Sequence, residues 1–252
     1  MRILLASDLH YRLPQLDWLV ETAPSVDVVA LPGDHLDVAS AVPLPAQIVV
    51  VKQYLERLAA IVPVLASSGN HDLDGPGPED EQIAGWLRRL RIPGLTVDGE
   101  DIDLDGTRFT VCPWWDGPRT RDRVDAQLAA AALARPARWV WLYHSPPDGT
   151  GLCWTGRRAY PDPDLNGWIE QHQPDLVLCG HIHQAPWADG GAWAAQVGST
   201  WVFNPGHQPG PQPAHLVIDT GAATAVWLGL PDHDEVSLGW LAVQPPRLVA
   251  TA

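Results

Sequence analysis

The first 72 residues alternate short apolar segments with segments of helical spacing, and this alternation constrains the fold more than any other feature. Apolar runs at residues 1–7, 26–31 and 62–67 predict buried strands. Apolar residues recur every three or four positions at 13–23 and 45–60, which predicts two helices between those strands. Strands joined by crossover helices lie parallel in one sheet. The sequence therefore predicts an α/β fold.

The same criteria extend the assignment along the rest of the chain. Helical spacing predicts helices at 80–91, 120–134 and 165–172. The remaining apolar segments predict a hairpin at 101–111 and strands at 139–143, 176–179, 193–197, 200–203, 215–219, 224–228 and 238–243, the last five antiparallel. Alternating Gly and Pro predict a mobile loop at 74–78. Because neither a boundary nor an internal repeat interrupts the sequence, residues 1–252 are expected to form a single domain.

Composition excludes several classes of protein. The formal net charge of −14 disfavours tight binding to nucleic acid, which depends on neutralising phosphates. The apolar run at the N-terminus is too short for the core of a signal peptide, and no later stretch is long enough to span a membrane, so we expect a cytoplasmic protein. The three cysteines lack Cys-x-x-Cys spacing, which argues against both a disulfide framework and a thiolate zinc site.

Polar side chains that can bind a metal follow the predicted strands, where α/β sheets place their sites. These residues are Asp8, His10, Asp34, Asn70, His71, His144, His181 and His183. Oxygen and imidazole donors without thiolate suit Mn, Fe, Zn, Co or Ni. Eight donors are too many for one ion, whereas two ions about 3.5 to 4 Å apart would use seven and leave one for acid–base chemistry.

The order of short motifs resembles the calcineurin-like metallophosphoesterase superfamily across residues 8–206. The motifs are Asp-x-His, Gly-Asp, Gly-Asn-His-Asp, His-x-Pro-Pro, Gly-His-x-His and Asn-Pro-Gly. Each motif is weak by itself, but the ordered set is specific. The resemblance implies a four-layer αββα sandwich, in which helices flank two mixed β-sheets. This expectation agrees with parallel strands followed by antiparallel strands.

The resemblance also implies a role for each site residue. One divalent ion would be held by Asp8, His10, Asp34 and His183. The second would be held by Asp34, Asn70, His144 and His181, with Asp34 bridging. His71 would face the phosphate, and Asp72 would orient His71. His181 and His183 would thus serve different ions, although only Ile182 separates them.

The reaction expected from this arrangement is hydrolysis of a phosphoester. Two ions, with Mn, Fe or Zn favoured, would make a bridging hydroxide available to attack phosphorus. His71 would protonate the leaving group. The expected partner is a small phosphodiester, such as a cyclic nucleotide, or a phosphomonoester, with neither a stable nucleic-acid complex nor a membrane. The oligomeric state is not determined by the sequence.

Two other functions remain open at this stage. One is a nuclease acting on single-stranded nucleic acid, which the acidic charge and the short length disfavour. The other is a non-catalytic interaction scaffold of the same fold, which would be expected to have lost ligands that this chain keeps. Superfamily phosphatases with an iron–zinc centre carry a tyrosine three residues after the bridging Asp. Asp37 stands there instead, which disfavours that subclass, and we expect Asp37 to orient a loop.

Several residues near the motifs have no assigned role. His35 follows the bridging Asp but matches no ligand of the family, and His207 stands where the family often carries Ser. The segment 148–162 could close over the metals, with an arginine of the pair Arg157 and Arg158 on phosphate and Trp154 stacked on a base. Trp114, Trp115 and Trp187 are further candidates for an apolar wall.

Overall fold

A computed structural model describes residues 1–78, 80–134, 136–230 and 232–238 of the chain. Its elements alternate between strand and helix over much of the chain up to residue 178 and are strands after that. The first elements are β1 (Arg2–Ala6), α1 (Leu13–Thr22), β2 (Val28–Pro32), α2 (Leu44–Ala59), β3 (Val64–Ser67), β4 (Gly75–Pro76), β5 (Gln82–Ile83), α3 (Gly85–Arg88), β6 (Leu95–Val97), β7 (Asp101–Leu104) and β8 (Thr107–Val111). The others are α4 (Pro118–Leu133), β9 (Trp139–Leu142), α5 (Pro163–His172), β10 (Leu176–Leu178), β11 (Ala194–Val197), β12 (Thr200–Phe203), β13 (His215–Asp219), β14 (Thr224–Leu228) and β15 (His233–Ser237). Short 3₁₀ helices cover Ala23–Ser25, Asn70–Asp72 and Gly151–Cys153.

The strands form two large sheets. The larger sheet has the order β15-β14-β13-β1-β2-β3-β6, in which β1, β2, β3 and β6 are parallel. Its three remaining strands join antiparallel, beginning with β13 beside β1. The smaller sheet has the order β11-β12-β10-β9-β8-β7, with β8, β9, β10 and β12 parallel and the two edge strands antiparallel.

The two sheets pack face to face, and helices cover their outer faces. Alternate residues of β1 point to opposite sides, so Ile3 and Leu5 pack with Phe109 and Leu142 of the smaller sheet. Leu4 points the other way and belongs to the core that α1 and α2 form on the larger sheet. A third core lies between the smaller sheet and helices α4 and α5. The layers are thus helix, sheet, sheet and helix, which is the expected αββα sandwich.

Proline occupies the first turn of each of the longer helices, at Pro14, Pro45, Pro118 and Pro163. The N–H groups of a first turn have no acceptor within the helix, so proline starts a helix there without losing a hydrogen bond. These prolines therefore help to set where each crossover helix begins, and thus how long the preceding loop is at the sheet edge.

The structure corrects three of the predicted elements. The helix predicted at 80–91 is only the single turn α3, and the loop predicted at 74–78 contains β4, which pairs antiparallel with β5. The strand β12 is parallel to β10, not purely antiparallel. Strands β6 and β15 were not predicted. The strand predicted at 238–243 lies outside the described residues beyond Leu238.

Two expected absences can be compared with the described residues. Cys112, Cys153 and Cys179 are buried and free, so no disulfide links them. No helix in the described part of the chain combines the length and the hydropathy needed to cross a membrane.

Candidate metal centre

The predicted ligands lie where the two sheets meet, at the carboxyl ends of β1, β2 and β3 in the larger sheet and of β9 and β10 in the smaller sheet. Two sets of hydrogen bonds join the sheets at this edge. The backbone N–H of His181 donates to both carboxylate oxygens of Asp8, at 3.1 and 3.0 Å. Nδ1 of His144 donates to the carbonyl of Pro32 at 2.6 Å. The site is therefore built from both sheets.

Four of the candidate site residues have an unusual backbone conformation. Asp8, His10, Asp34 and His181 have φ values of 56°, 44°, 55° and 70°, in the left-handed region. Asp and His tolerate this region better than most residues, but each instance costs on the order of 1–3 kcal/mol. Backbone hydrogen bonds from Asp8 to the Gly33 carbonyl (3.2 Å) and from His10 to the Asp34 carbonyl (3.0 Å) hold two of these residues in place.

One cluster of candidate ligands contains Asp8, His10, Asp34 and His183, whose ligand atoms all lie within 4.8 Å of one another. Nε2 of His183 is 3.3 Å from Oδ1 of Asp8 and 3.0 Å from Nε2 of His10. Nδ1 of His10 lies 3.2 Å from the carbonyl oxygen of Leu36, so the opposite nitrogen faces the cluster. Two carboxylates and two imidazoles around one point are a donor set suited to a divalent transition metal.

A second cluster shares Asp34 with the first and adds His144 and His181, again within 4.8 Å. Oδ2 of Asp34 lies 3.4 Å from Nε2 of His144 and 3.8 Å from Nε2 of His10, so one oxygen faces both clusters. Oδ1 of Asn70 and Nε2 of His144 are buried and have no hydrogen-bond partner among the described residues. Buried polar atoms without partners are costly, and a bound cation would satisfy both.

The two carboxylates stay ionised although they are buried. Burial by itself raises the pKa of Asp8, but the hydrogen bond from His183 and the neighbouring histidines outweigh it and hold the pKa well below its usual value. Burial likewise raises the pKa of Asp34, but the charge of His144 outweighs it and lowers this pKa. Ionised carboxylates at a buried position are what a metal ion requires of these ligands.

The four histidines of the two clusters fall into two pairs, one with a raised pKa and one with a lowered pKa. Burial lowers the pKa of His144, but the charge of Asp34 outweighs it and raises the pKa to about 9. In His183 the hydrogen bond to Asp8 similarly outweighs burial and raises the pKa. Burial lowers the pKa of His181 to about 4 and also lowers that of His10. Burial thus favours the neutral form of His181 and His10, which is the form that binds a cation, while His144 and His183 lie against the carboxylates of Asp34 and Asp8.

His71 lies beside the first cluster rather than in it. Its ring is 4.7 Å edge-on from the ring of His10, and its backbone N–H donates to Oδ1 of Asp34 at 2.9 Å. Nδ1 of His71 is buried and has no partner in the described part of the chain. The carboxylate of Asp37 lies within 4.8 Å of ring nitrogens of both His10 and His71. Asp37 also accepts the N–H of Ala39 at 2.9 Å, which agrees with the predicted role in orienting a loop.

The structure corrects the expectation that Asp72 orients His71 directly. Asp72 is fully buried, and its carboxylate accepts the backbone N–H groups of His35 (2.9 Å), Leu36 (3.0 Å) and Gly69 (2.8 Å). All three contacts are with backbone of the loops after β2 and β3. Asp72 therefore fixes the loops that carry Asp34 and His71, and any effect on the imidazole is indirect.

The structure also settles the contacts of the two histidines whose roles were open. His35 is buried, and its Nε2 donates to the carbonyl of Ser67 at 2.8 Å, so His35 ties the loop after β2 to the end of β3. His207 lies closer to the candidate ligands. Its Nδ1 donates to the carbonyl of Asp8 at 2.7 Å, and its ring centroid is 4.9 Å from that of His183.

A buried carboxylate that the sequence did not single out supports the wall of the site. Asp98 accepts the N–H and the hydroxyl of Ser68, both at 2.7 Å. The Ser68 hydroxyl accepts the backbone N–H of Trp114 at 3.0 Å. The Trp114 ring lies 5.7 Å from that of His144 and 5.6 Å from that of His181. No local motif marks Asp98, because it follows the short strand β6, which was itself not predicted.

Two cavities open beside the candidate ligands. One of about 540 Å³ is lined by Trp114, Trp115, Tyr160 and His181 among others. A larger cavity of about 930 Å³ lies between the segment 155–160 and the two histidines His181 and His183.

The other two tryptophans named from the sequence have different surroundings. Trp154 donates its indole N–H to the carbonyl of Asp189 at 2.9 Å and lines neither of these two cavities, so it is not placed to stack on a substrate base there. Trp187 packs against Trp227 and lines a smaller cavity of about 420 Å³ next to His207.

Comparison with known proteins identifies the class. The chain belongs to the calcineurin-like phosphoesterase family, whose sequence profile matches residues 1–185. This match confirms the resemblance seen in the motifs. Members of the family depend on two metal ions, and the described residues supply Asp and His clusters that could bind them.

Solved structures confirm the fold. A dimetal phosphatase from Danio rerio is similar with a TM-score of 0.61 and 11% identity over 94% of this chain and 99% of that one. The protein TT1561 of Thermus thermophilus has a TM-score of 0.59 and 17% identity over 94% and 98%. Purple acid phosphatase PPD1 from yellow lupin seeds has a TM-score of 0.56 and 13% identity over 95% of this chain but 52% of its own. Among curated proteins, none matches the chain significantly.

Proposed function

We propose that this protein hydrolyses phosphoesters with the help of two divalent metal ions. The observation that carries the proposal is the position of Asp34, whose carboxylate belongs to both clusters of candidate ligands. In this proposal Asp8, His10, Asp34 and His183 hold one ion, and Asp34, Asn70, His144 and His181 hold the other. The donor set of oxygens and imidazoles favours Mn, Fe or Zn without choosing among them.

When bound, the two ions would supply a water of lowered pKa and neutralise charge on the phosphate oxygens. The protein's own groups position the ligands. Backbone N–H groups of His71 and His181 donate to the carboxylates of Asp34 and Asp8, which limits how these carboxylates can turn. Such fixed hydrogen bonds keep the site organised before substrate arrives.

His71 is the proposed proton donor to the leaving oxygen. It lies at the edge of the first cluster, and its ring makes no hydrogen bond within the described residues. Because Nδ1 is buried, Nε2 is the ring nitrogen that would serve a substrate. In place of Asp72, we assign Asp37 as the carboxylate whose charge acts on this ring, because it lies within 4.8 Å of a ring nitrogen, although no hydrogen bond joins the two side chains. General acid catalysis of this kind typically contributes about 10²- to 10⁴-fold in rate.

The proposed substrate is a small phosphodiester or phosphomonoester with an organic group of moderate size. The cavity of about 540 Å³ beside His181 supports this, because Trp114, Trp115 and Tyr160 offer it aromatic surface. The net charge of −14 disfavours a stable complex with nucleic acid. A scaffold without activity is disfavoured because six of the seven candidate ligands converge on two clusters.

The test is hydrolysis by protein that has been stripped of metal with a chelator and reloaded separately with Mn, Fe or Zn. The panel contains an aryl phosphomonoester, an aryl phosphodiester, cyclic nucleotides and single-stranded DNA. We expect turnover of an ester only after reloading, with two ions bound per chain by elemental analysis. Turnover restricted to DNA would favour the nuclease, and an inert protein with every metal would favour the scaffold.

Two variants test the assigned roles. Asp34→Asn should lose both bound metal and activity, whereas Asp122→Asn, on the exposed face of α4, should keep both. His71→Ala should keep two ions and lose about 10²- to 10⁴-fold in kcat, with the exposed His233→Ala as its control. A metal-free His71→Ala protein would contradict the assignment of His71 as a proton donor.

A further inference from the structure

The segment that faces the larger cavity is an ordered hairpin. Trp154 and Ala159 form an antiparallel bridge, and the tip between them is closed by two contacts to the carbonyl of Arg158. These contacts come from the N–H of Thr155 (3.1 Å) and its hydroxyl (2.8 Å). We call residues 154–160 the arginine hairpin, because Arg157 and Arg158 stand at its tip. The two guanidinium groups are thus carried by a defined turn.

The larger cavity, of about 930 Å³, is lined by basic and neutral side chains. Its lining includes Arg157, Arg158 and Tyr160 of the arginine hairpin together with His181 and His183. No described residue that lines it is acidic, although the chain has 30 Asp and Glu against 16 Lys and Arg. In a protein of this net charge, such a lining is a local site for anions.

Neither arginine is neutralised by a carboxylate in the described part of the chain. The guanidinium carbon of Arg158 lies 4.2 Å from the centre of the Tyr160 ring, a stacking contact that leaves its N–H groups free. Arg157 makes no hydrogen bond or ion pair with a described residue, and both side chains are exposed. Planar guanidinium groups in this state are suited to bind phosphate through paired N–H donors.

The arginines and two of the candidate metal ligands line the same cavity. The histidines are part of the half-buried metal centre, while Arg157 and Arg158 are exposed at the outer side. A volume near the upper end of the range for small-molecule sites exceeds what a single phosphate needs. We propose that Arg157 and Arg158 bind a second phosphate group of the substrate, separate from the phosphoester at the metal centre. This assignment rests on the proposed hydrolase function.

The neighbouring cavity of about 540 Å³ has the opposite character. Its lining combines Trp114 and Trp115 with three carboxylates, Asp116, Asp162 and Asp164. Asp164 is paired with Arg121 at 2.6 Å, but Asp116 and Asp162 have no ion pair with a described residue. Carboxylates disfavour a second phosphate and accept hydrogen bonds from a neutral group. The two cavities therefore differ in charge. In the proposed complex the anionic part of the substrate points toward the arginine hairpin and its neutral part toward the tryptophans.

The experiment compares two chromogenic phosphodiesters that differ by one phosphate. They are thymidine 5′-(4-nitrophenyl phosphate) and the same compound with a 3′-phosphate, and release of nitrophenol is measured with metal-loaded protein. We expect the wild type to favour the second compound by about tenfold or more in kcat/KM, mainly through KM, with the preference declining as salt rises. In the double variant Arg157→Gln/Arg158→Gln this ratio should fall to about one.

Arg57→Gln is the matched control, because Arg57 lies on α2 and is about half exposed. It should keep the wild-type ratio. A ratio that is the same in wild type and double variant would overturn the proposal. An equal loss on both compounds would also overturn it, because the arginines would then bind the reacting phosphate.

Failure of the proposed function has a different signature. If neither compound is hydrolysed with any metal, calorimetry with thymidine 3′,5′-bisphosphate and thymidine 5′-monophosphate tests the arginines alone. Tighter binding of the bisphosphate that disappears in the double variant would still support the second-phosphate site. Equal binding of the two nucleotides by wild-type protein would refute it.

Discussion

The carboxylate of Asp72 offers the sharpest test of structural against catalytic roles at this site. It accepts the backbone N–H groups of His35, Leu36 and Gly69, all of which are buried. In Asp72→Asn one oxygen becomes an amide NH₂, which cannot accept. The side chain can still accept at one oxygen, where two of these N–H groups converge, but the N–H of Gly69 then faces another donor.

The expected cost follows from those contacts. Leaving one buried N–H without an acceptor costs about 1–3 kcal/mol, so Asp72→Asn should lower the free energy of unfolding by that amount. Asp72→Ala removes the acceptor for all three N–H groups and should cost roughly 3–9 kcal/mol. A domain is typically stable by only about 5–15 kcal/mol, so the loss expected for the alanine variant is a large part of the total free energy of unfolding.

The assay is urea unfolding in the presence of a chelator, because bound metal would add its own stabilisation to the folded state. Asp122→Asn, on the exposed face of α4, is the control and should unfold as the wild type does. The kcat of each variant is then measured with metal under conditions where it is folded. We expect Asp72→Asn to lose stability and to keep most of its kcat per folded, metal-loaded molecule.

The opposite result would refute this reasoning. If Asp72→Asn unfolded like the wild type but lost kcat by a factor of a hundred or more, Asp72 would act on catalysis rather than on the loops. The original sequence-based prediction, that Asp72 orients His71, would then be restored.

Three further changes probe the surroundings of the metal centre. Asp37→Asn should lower kcat by about tenfold with metal content unchanged by elemental analysis, since it removes the charge beside the proposed acid; loss of metal would instead make Asp37 a ligand. Burial raises the pKa of Asp98 to about 7, so the folded protein keeps a proton that the unfolded chain loses near pH 4, and this contribution to stability declines as pH rises from about 4 to 7. The free energy of unfolding of Asp98→Asn, measured in urea relative to that of the wild type, should therefore rise by up to about 4 kcal/mol between pH 4 and pH 7. A difference between the two proteins that does not change with pH would contradict the raised pKa. In Gly69→Ala the new Cβ would lie 2.7 Å from the backbone N of Asp34 and 2.8 Å from Cε1 of His144, so metal affinity measured by competition with a chelator dye should fall at least about tenfold; unchanged affinity would mean that the loops relax.

Much of the fold and of the candidate site could be predicted from local sequence. Short apolar runs and helical spacing located β1, α1, β2, α2 and β3 to within a few residues. Because parallel strands end at a common edge, polar residues after those strands were expected to converge, and the structure brings Asp8, Asp34 and His71 together there. The same criterion found the residues that follow β9 and β10, and the resemblance to a family then implied which ion each residue would hold.

Other features could not be predicted because they depend on how distant segments pack. The partner of β13 is β1, at the far end of the chain, and no local spacing encodes that pairing. The same is true of Asp98, which reaches Trp114 only through Ser68. Periodicity reports which side of an element is buried but not which distant segment buries it.

The sequence by itself determined which residue types stand at the strand ends, because burial of each strand and the turn after it are local properties of the chain. Only the tertiary structure decided how those residues are used. Asp72 was predicted to contact His71, but in the structure its carboxylate accepts backbone N–H groups. Asp37 and the arginine hairpin, by contrast, face the site. The physical reason is that hydrogen-bond partners and cavity linings are set where the two sheets pack together, over separations that local spacing does not reach.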